Sequence, residues 1–531
     1  MSDRDRIKSA LARMVDEAPE PRPYGRVVGS ERRERRRLAW PAWAFAAFGT
    51  VLVGVGVVVV LRPGVSTTVP VAAPTTTPAV VATTAPPATT STTAPATTTT
   101  MPVTATTPSF TWQRVTDLPE TDPAHSYVNP PIVTDNGFLT IEEDLAFEGN
   151  TARIWTSPDG ITWQATPDDS FNGLIINDLA DTTFGILAAG TQGPDNPTVW
   201  RSDDGSTWDT IDLPMPPPPA IESYQKTWSG INQIIAGPNG VMVLGLQGTS
   251  TDWNKLIEPF LPDGITFANT ELSSENNTSS IRVYSEPDHT LLATVQVSDF
   301  GIDASKLDAM AADQLIWYSP DGKDFTLLEG APETRTGGFL DMLMGAATNN
   351  GFVVFYQSSV AQVWTTLDGS SWDETPTSGL PASSFFNGIA SWDGRIVVIG
   401  GGSSGQVIYY SDDGVSWKRA DAPTVFSSST VDSISVGPAG WFVSGHSSST
   451  KPSNVSNNEW APPPALWRST DGTTWTSVGL PDDVFGLSRI PAFGAPAVDT
   501  DRIVIVGTEE TNFGDGPVTG ATTVIYVGTV R

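Results

Sequence analysis

The chain predicts an all-β fold in which seven small four-stranded sheets pack around an axis as a β-propeller, preceded by one transmembrane helix. Three observations predict it. The phrase aromatic-x-Ser/Thr-x-Asp-Gly-x-x-aromatic returns six times. The spacing of the copies is that of a four-stranded blade, and self-similarity at such a period sets an architecture before any other reading. A single run of 24 uncharged residues, Leu38–Leu61, follows a basic leader.

The leader, residues 1–37, carries 11 Lys/Arg against 7 Asp/Glu and ends in Arg32-Arg33-Glu34-Arg35-Arg36-Arg37. The apolar run behind it is long enough to cross a bilayer at about 1.5 Å per residue. Basic residues on one side only place the N-terminus in the cytoplasm and the C-terminal part outside. A cleaved signal peptide is the rival reading. The length of the leader and of the run both favour a retained anchor over residues 38–61. Residues 63–108 hold 18 Thr, 9 Pro and no charge. Such a segment has nothing to bury, and Pro opposes helix and sheet, so 62–108 reads as a disordered stalk.

The propeller is expected over 109–531. Its six phrases are Trp155–Trp163, Trp200–Trp208, Trp317–Phe325, Trp364–Trp372, Tyr409–Trp417 and Trp467–Trp475. Each reads as a hairpin. Alternating residues such as Val199-Trp200-Arg201-Ser202 form a strand. Asp-Gly is a turn, with Gly supplying positive φ and Asp accepting from nearby backbone N–H groups. The turn aspartates are Asp159, Asp204, Asp321, Asp368, Asp413 and Asp471, and ten of the 18 Trp stand at the two aromatic positions. This phrase resembles the Asp-box, or BNR repeat, of sialidase-like β-propellers, in an actinobacterial membrane-anchored form that lacks one residue between Asp and Gly. The resemblance implies that the box is a peripheral turn between the third and fourth strands of a blade, with a structural role.

The aspartates are 45, 117, 47, 45 and 58 residues apart, so one interval is double. Residues 249–312 are read as an insertion between the second and third strands of the third blade, with a hairpin-like pair over Ile281–Ser285 and Leu291–Val297, a polar loop over Ser274–Ser280 and a short helix around Ser305–Ala312. Leu261–Phe267 keeps an eighth, decayed blade open. Phe110–Pro119 matches the strand that follows a box, and three strand-like runs follow the last box. The N-terminal strand is therefore expected to complete the C-terminal blade and close the ring, which removes exposed sheet edges.

Between the boxes recurs an apolar residue, Asn or Asp, any residue, then Ile or Leu. Its polar members are Asn129, Asn177, Asn232, Asp341, Asn387 and Asp432. On the first strand of each blade they would form a polar ring at the channel rim. One reading has each tie its strand to neighbouring backbone. The other is a collar for water, a cation or a small polar ligand.

Chemistry is hard to find. Cys is absent, which excludes disulfides and thiol catalysis. His125, His289 and His446 stand singly, without metal-ligand spacing. Residues 109–531 hold 17 Lys/Arg against 52 Asp/Glu, which argues against nucleic acid as a ligand. The resemblance raises sialidase chemistry, which needs an arginine cluster, a Tyr–Glu pair and an acid/base Asp. Here Arg489-Ile490-Pro491 follows the last box instead of preceding the first, and Arg153, Arg201 and Arg468 lead into boxes. At the acidic clusters Glu142-Glu143-Asp144 and Glu509-Glu510 a paired-carboxylate glycosidase site cannot be told from solvated loops by sequence. No catalytic, metal or cofactor residue is assigned. The expectation is a monomeric, membrane-tethered cell-surface module that binds an unknown protein or glycan without catalysis; the alternative is an exo-acting glycoside hydrolase of the sialidase type.

Overall fold

The computed structural model describes residues 110–530 apart from 116–125, 145–150, 167–170, 172–173, 193–195, 253–254, 257–268, 276–277, 285–290, 297–310, 330–334, 337–341, 358–360, 376–377, 382–384, 403–404, 448–461, 482–491 and 511–520. The leader, apolar run and stalk lie outside the described residues. Among the described residues no helix is long and apolar enough to cross a membrane.

Seven antiparallel sheets follow one another along the chain, each in the order first, second, third, fourth strand. Blade one spans 126–166, blade two 174–212, blade three 225–327, blade four 342–375, blade five 385–419, blade six 430–478 and blade seven 492–530. The first strand of blade one is broken into Ser126–Val128 and Ile132–Thr134. Pro130 and Pro131 stand at the break, where the absent N–H groups cannot continue a ladder. The fourth strand of blade seven comes from the other end of the chain: Phe110–Val115 pairs antiparallel with Ala521–Val530, Phe110 opposite Val530 and Val115 opposite Ile525.

The apolar residues do not gather at one centre. Among the described residues they form seven clusters, one for each boundary between adjacent blades. The boundary that closes the circle is built like the others, with Phe138 and Trp155 of blade one against Val504, Ile525 and Val527 of blade seven. A sheet with both faces buried needs apolar residues on both sides of its middle strands. This is why the second strands read as unbroken runs, as in Val241–Leu244 and Ile396–Ile399, all buried. The first aromatic of the phrase supplies the bulk: Trp155, Trp200, Trp317 and Trp467 are fully buried.

Blade three differs from the rest. Its second strand, Gly240–Thr251, pairs directly with its third, Ala311–Ser319, Thr249 lying opposite Ala311. Between them the chain makes a separate three-stranded sheet of Asn269–Glu275, Thr278–Tyr284 and Leu291–Gln296. Sequence patterning finds the last two strands and misses the first. Within the polar run Ser274–Ser280 the described residues belong to strands and not to a loop, Glu275 lying opposite Thr278. Ala311 and Ala312, assigned by sequence to the end of a helix, begin the third strand. Pairing to the long second strand overrides the helical preference of Ala. The rest of that helix, and Leu261–Phe267, lie outside the described residues.

Antiparallel order sorts the connections onto two faces. The first-to-second and third-to-fourth turns share one face; the second-to-third and fourth-to-first connections share the other. The first face is tight and repetitive. In the turn at Asp159, Oδ1 accepts from Ile161 N at 2.9 Å and Thr162 N at 2.7 Å, and Ser157 donates its hydroxyl to the same oxygen. The pattern repeats at Asp204, Asp321, Asp413 and Asp471. At Asp368 the following hydroxyl, Ser370, takes part instead. The six Gly residues that follow have φ from 70 to 79°, the left-handed region where a Cβ is strained. The second face carries the second-to-third connection of blade three, which leaves the ladder after Thr251 and re-enters it at Ala311.

Candidate functional site

The inner strands bring together the most concentrated polar chemistry of the described residues. In blades two, three, five and six the ladder slips by one residue, and the extra residue is Asn177, Asn232, Asn387 or Asp432. A bulge re-aims the side chain at the slip while its neighbours keep alternating. Each of these four, and Asn129, stands six positions before the first residue of the turn that ends its strand. The constant offset puts them at one depth, as a collar on the side away from the Asp-Gly turns.

The collar is a set of clasps between blades. Asn177 donates Nδ2 to Ile231 O at 2.5 Å, and Asn387 donates Nδ2 to Val431 O at 2.7 Å. Both acceptors immediately precede the bulge of the next blade. From blade three it is Gln233, beside Asn232, that reaches across: Nε2 donates to Gly345 O at 3.0 Å and Oε1 accepts from Gly345 N at 2.8 Å. Asn129 is buried and donates to Glu143 Oε1 at 2.9 Å. Asp341 lies outside the described residues.

Two carboxylates are central here, Glu143 of the acidic cluster noted in the sequence and Asp178, which sequence reading did not single out. Glu143 Oε1 accepts from Ile176 N of blade two at 3.0 Å as well as from Asn129. Burial pushes its pKa up to about 7, against the lowering by those two bonds. Asp178 accepts from Leu179 N at 2.9 Å through Oδ1 and from Ile234 N of blade three at 2.7 Å through Oδ2. Burial likewise raises it to about 7, opposed by the same two N–H groups. Glu142 is also buried and accepts from Trp155 Nε1 at 3.0 Å. The acidic cluster Glu142-Glu143 is thus no solvated loop: it lies on the second strand of blade one. The available signal was its place in an otherwise apolar run, Gly137–Asp144, and for Asp178 its adjacency to the recurring Asn.

The boundary of blades five and six is less completely satisfied. His446 Nδ1 is 2.9 Å from Asp432 Oδ2, and both side chains are buried. Yet neither Asp432 oxygen accepts an aligned hydrogen bond, and Asn387 Oδ1 also has none. The imidazole therefore lies close to the carboxylate without an N–H directed along the contact. Among the described residues no three His, Asp or Glu side chains converge on a metal position.

The turn face has a shallow cleft of about 540 Å³ between blades one, two and three, lined by Asp135, Asp181, Phe184, Arg201, Asp203 and Asp321 among others. Burial first, then the charge of Asp135, raises the pKa of Asp181. Arg201 is committed to Phe184 O and Asp203. Arg395 holds Asp412 and Asp471 O, and Arg468 holds Ala439 O. None of these three stands in the collar.

No family model matches the chain, and no curated protein matches it. Among solved structures it is similar to a prolyl endopeptidase, at 13% identity and a TM-score of 0.38 over 76% of this chain and 50% of that one. An acylaminoacyl peptidase of Pyrococcus horikoshii gives 9% identity and a TM-score of 0.29 over 75% and 59%. Trypanosoma rangeli sialidase in complex with sialic acid gives 12% and 0.31 over 78% and 58%. The chain spans between half and three fifths of the length of these proteins.

Proposed function

We propose that this protein is a membrane-tethered, cell-surface β-propeller that binds or scaffolds a protein or glycan ligand without catalysis. The carrying observation is how the collar spends its polar groups. Glu143, Asp178 and Gln233 each hold backbone of the next blade, so they serve as fixed joints, not as free acids, bases or clamps. Arg201, Arg395 and Arg468 are likewise committed to backbone or to local aspartates. Recognition then belongs to the long-connection face, where loops vary without disturbing the ring. The tether rests on the apolar run 38–61 behind its basic leader, and the stalk over 62–108 sets the propeller away from the surface. The Asp-Gly turns are read as Asp-boxes of the sialidase-like type, with a structural role.

The test uses the full chain. It is presented with a panel of fluorogenic glycosides that includes sialosides, and with an array of immobilised glycans and cell-envelope proteins. Saturable binding with no turnover supports the proposal. Turnover of any glycoside replaces it with the exo-acting hydrolase reading. Protease shaving of intact cells that leaves the propeller untouched would refute the outward orientation.

A further inference from the structure

The connection from blade two to blade three is unlike the others. It reads Leu213-Pro214-Met215-Pro216-Pro217-Pro218-Pro219-Ala220-Ile221, and it is described throughout. Consecutive prolines fix φ near −65°, and each also pushes the residue before it into the extended region, so Met215–Pro218 are held in polyproline II by sterics. That helix has three residues per turn. Burial follows the period. Leu213 is buried and Pro216 and Pro219 are half-buried, forming the ridge that faces the propeller. Pro214, Pro217 and Ala220 form a second ridge, exposed throughout. Pro218 and Ile221, on the third, are exposed as well, Ile221 by 49%.

Both ends are fastened. Trp317 Nε1 donates to Pro214 O at 2.7 Å, and Met215 packs on the apolar boundary of blades two and three. Beyond the strip, Glu222 N donates to Gln225 Oε1 at 3.1 Å and Gln225 N to Glu222 O at 3.0 Å. Between the fastenings, no described donor reaches the carbonyls of Met215 to Ile221. The result is a preordered strip with one fully exposed apolar ridge, a second exposed at Pro218 and Ile221, and a row of open acceptors. Exposed Asp209, Asp212 and Glu222 flank it.

We propose that residues 213–222 are a docking strip for a partner domain whose groove is walled by aromatic rings, carries indole or phenol donors and is flanked by basic side chains. Pro214 and Pro217, about 9 Å apart on one ridge, fill two successive aromatic slots. The open carbonyls accept from the ring donors. Little ordering entropy is lost, because the strip is held before the partner arrives. Acidic flanks select the basic rim.

The test titrates the full chain into two isotopically labelled probes, an SH3 domain and a WW domain with basic groove rims, and follows the indole N–H signals of their aromatic grooves. A saturable shift confined to the groove is expected with at least one probe. Pro217→Ala weakens it by roughly tenfold, a loss of about 1.4 kcal/mol. Pro216→Ala, on the inward ridge, leaves it within about twofold. High salt weakens it severalfold. Thermal melts of both variants keep folding separate from docking. No groove shift with either probe, or equal losses for the two substitutions, overturns the proposal and leaves the strip as a rigid spacer.

Discussion

Glu143→Gln should make the propeller more stable in alkali and no different in acid. Glu143 uses one oxygen for both of its partners: Oε1 accepts from Asn129 Nδ2 and from Ile176 N. Gln keeps that oxygen and places its amide nitrogen where no described donor reaches. The substitution therefore preserves the clasp between blades one and two and removes only the buried charge. Burial moves the carboxyl from 4.5 to about 7, which at about 1.4 kcal/mol per pH unit corresponds to about 3 kcal/mol. The sign follows from the raised pKa. Stability carried by the bound proton is complete below 4.5 and is lost as pH rises through about 7. Urea unfolding at pH 5 and pH 8.5 reads it directly. The wild type should lose stability between the two, and the Glu143→Gln variant should exceed it at pH 8.5 by up to about 3 kcal/mol. Asp178→Asn is the contrast. Both of its oxygens accept backbone N–H, so an amide nitrogen must face a donor and stability should fall at pH 5 by about 1–3 kcal/mol. A Glu143→Gln variant that is less stable than wild type at both pH values would refute the clasp-and-charge argument.

Three further outcomes follow from the architecture. Trp417→Ala empties a site that is 4% exposed and packed edge-on to Phe355 at 5.1 Å; a loss of about 3–5 kcal/mol in denaturant is expected, and a melt equal to wild type would remove the turn's structural role. Acid should lower stability below pH 4, because Asp413 and Asp471 are held down to about 2; burial opposes this, but the backbone N–H groups of Ser416 and Thr474 and their neighbours outweigh it. Their contribution is present above the ordinary carboxylate value and lost as pH falls through about 2, and a flat acid limb in circular dichroism would contradict it. Deleting 110–115 exposes an edge of Ala521–Val530 and should give self-association and rapid proteolysis, whereas replacing 252–310 with a short Gly/Ser turn should leave a cooperative melt, since Thr249 already pairs with Ala311.

The sequence by itself determined the repeat and what depends on it. Asp-Gly with an aromatic on either side specifies a turn locally, because φ, the Asp acceptor and the flanking strands all lie within nine residues. Counting those turns, and matching Phe110–Pro119 to the strand after a repeat, favoured seven blades over eight and a ring closed by the N-terminal strand; the structure has seven. The recurring Asn and Asp were also legible as one register on successive inner strands. Only the tertiary structure decided what that register does. Asn177 meets Ile231 across 54 positions and Gln233 meets Gly345 across 112, and no local pattern encodes which backbone a side chain will find in the next blade. The same holds for Glu142-Glu143: an acidic pair looks solvated until the neighbouring sheet covers it, and only then does burial raise the Glu143 carboxyl against the Asn129 and Ile176 hydrogen bonds. The first strand of the inserted sheet, Asn269–Glu275, was missed for a related reason. Its composition is polar, and pairing with Thr278–Tyr284, not propensity, makes it a strand.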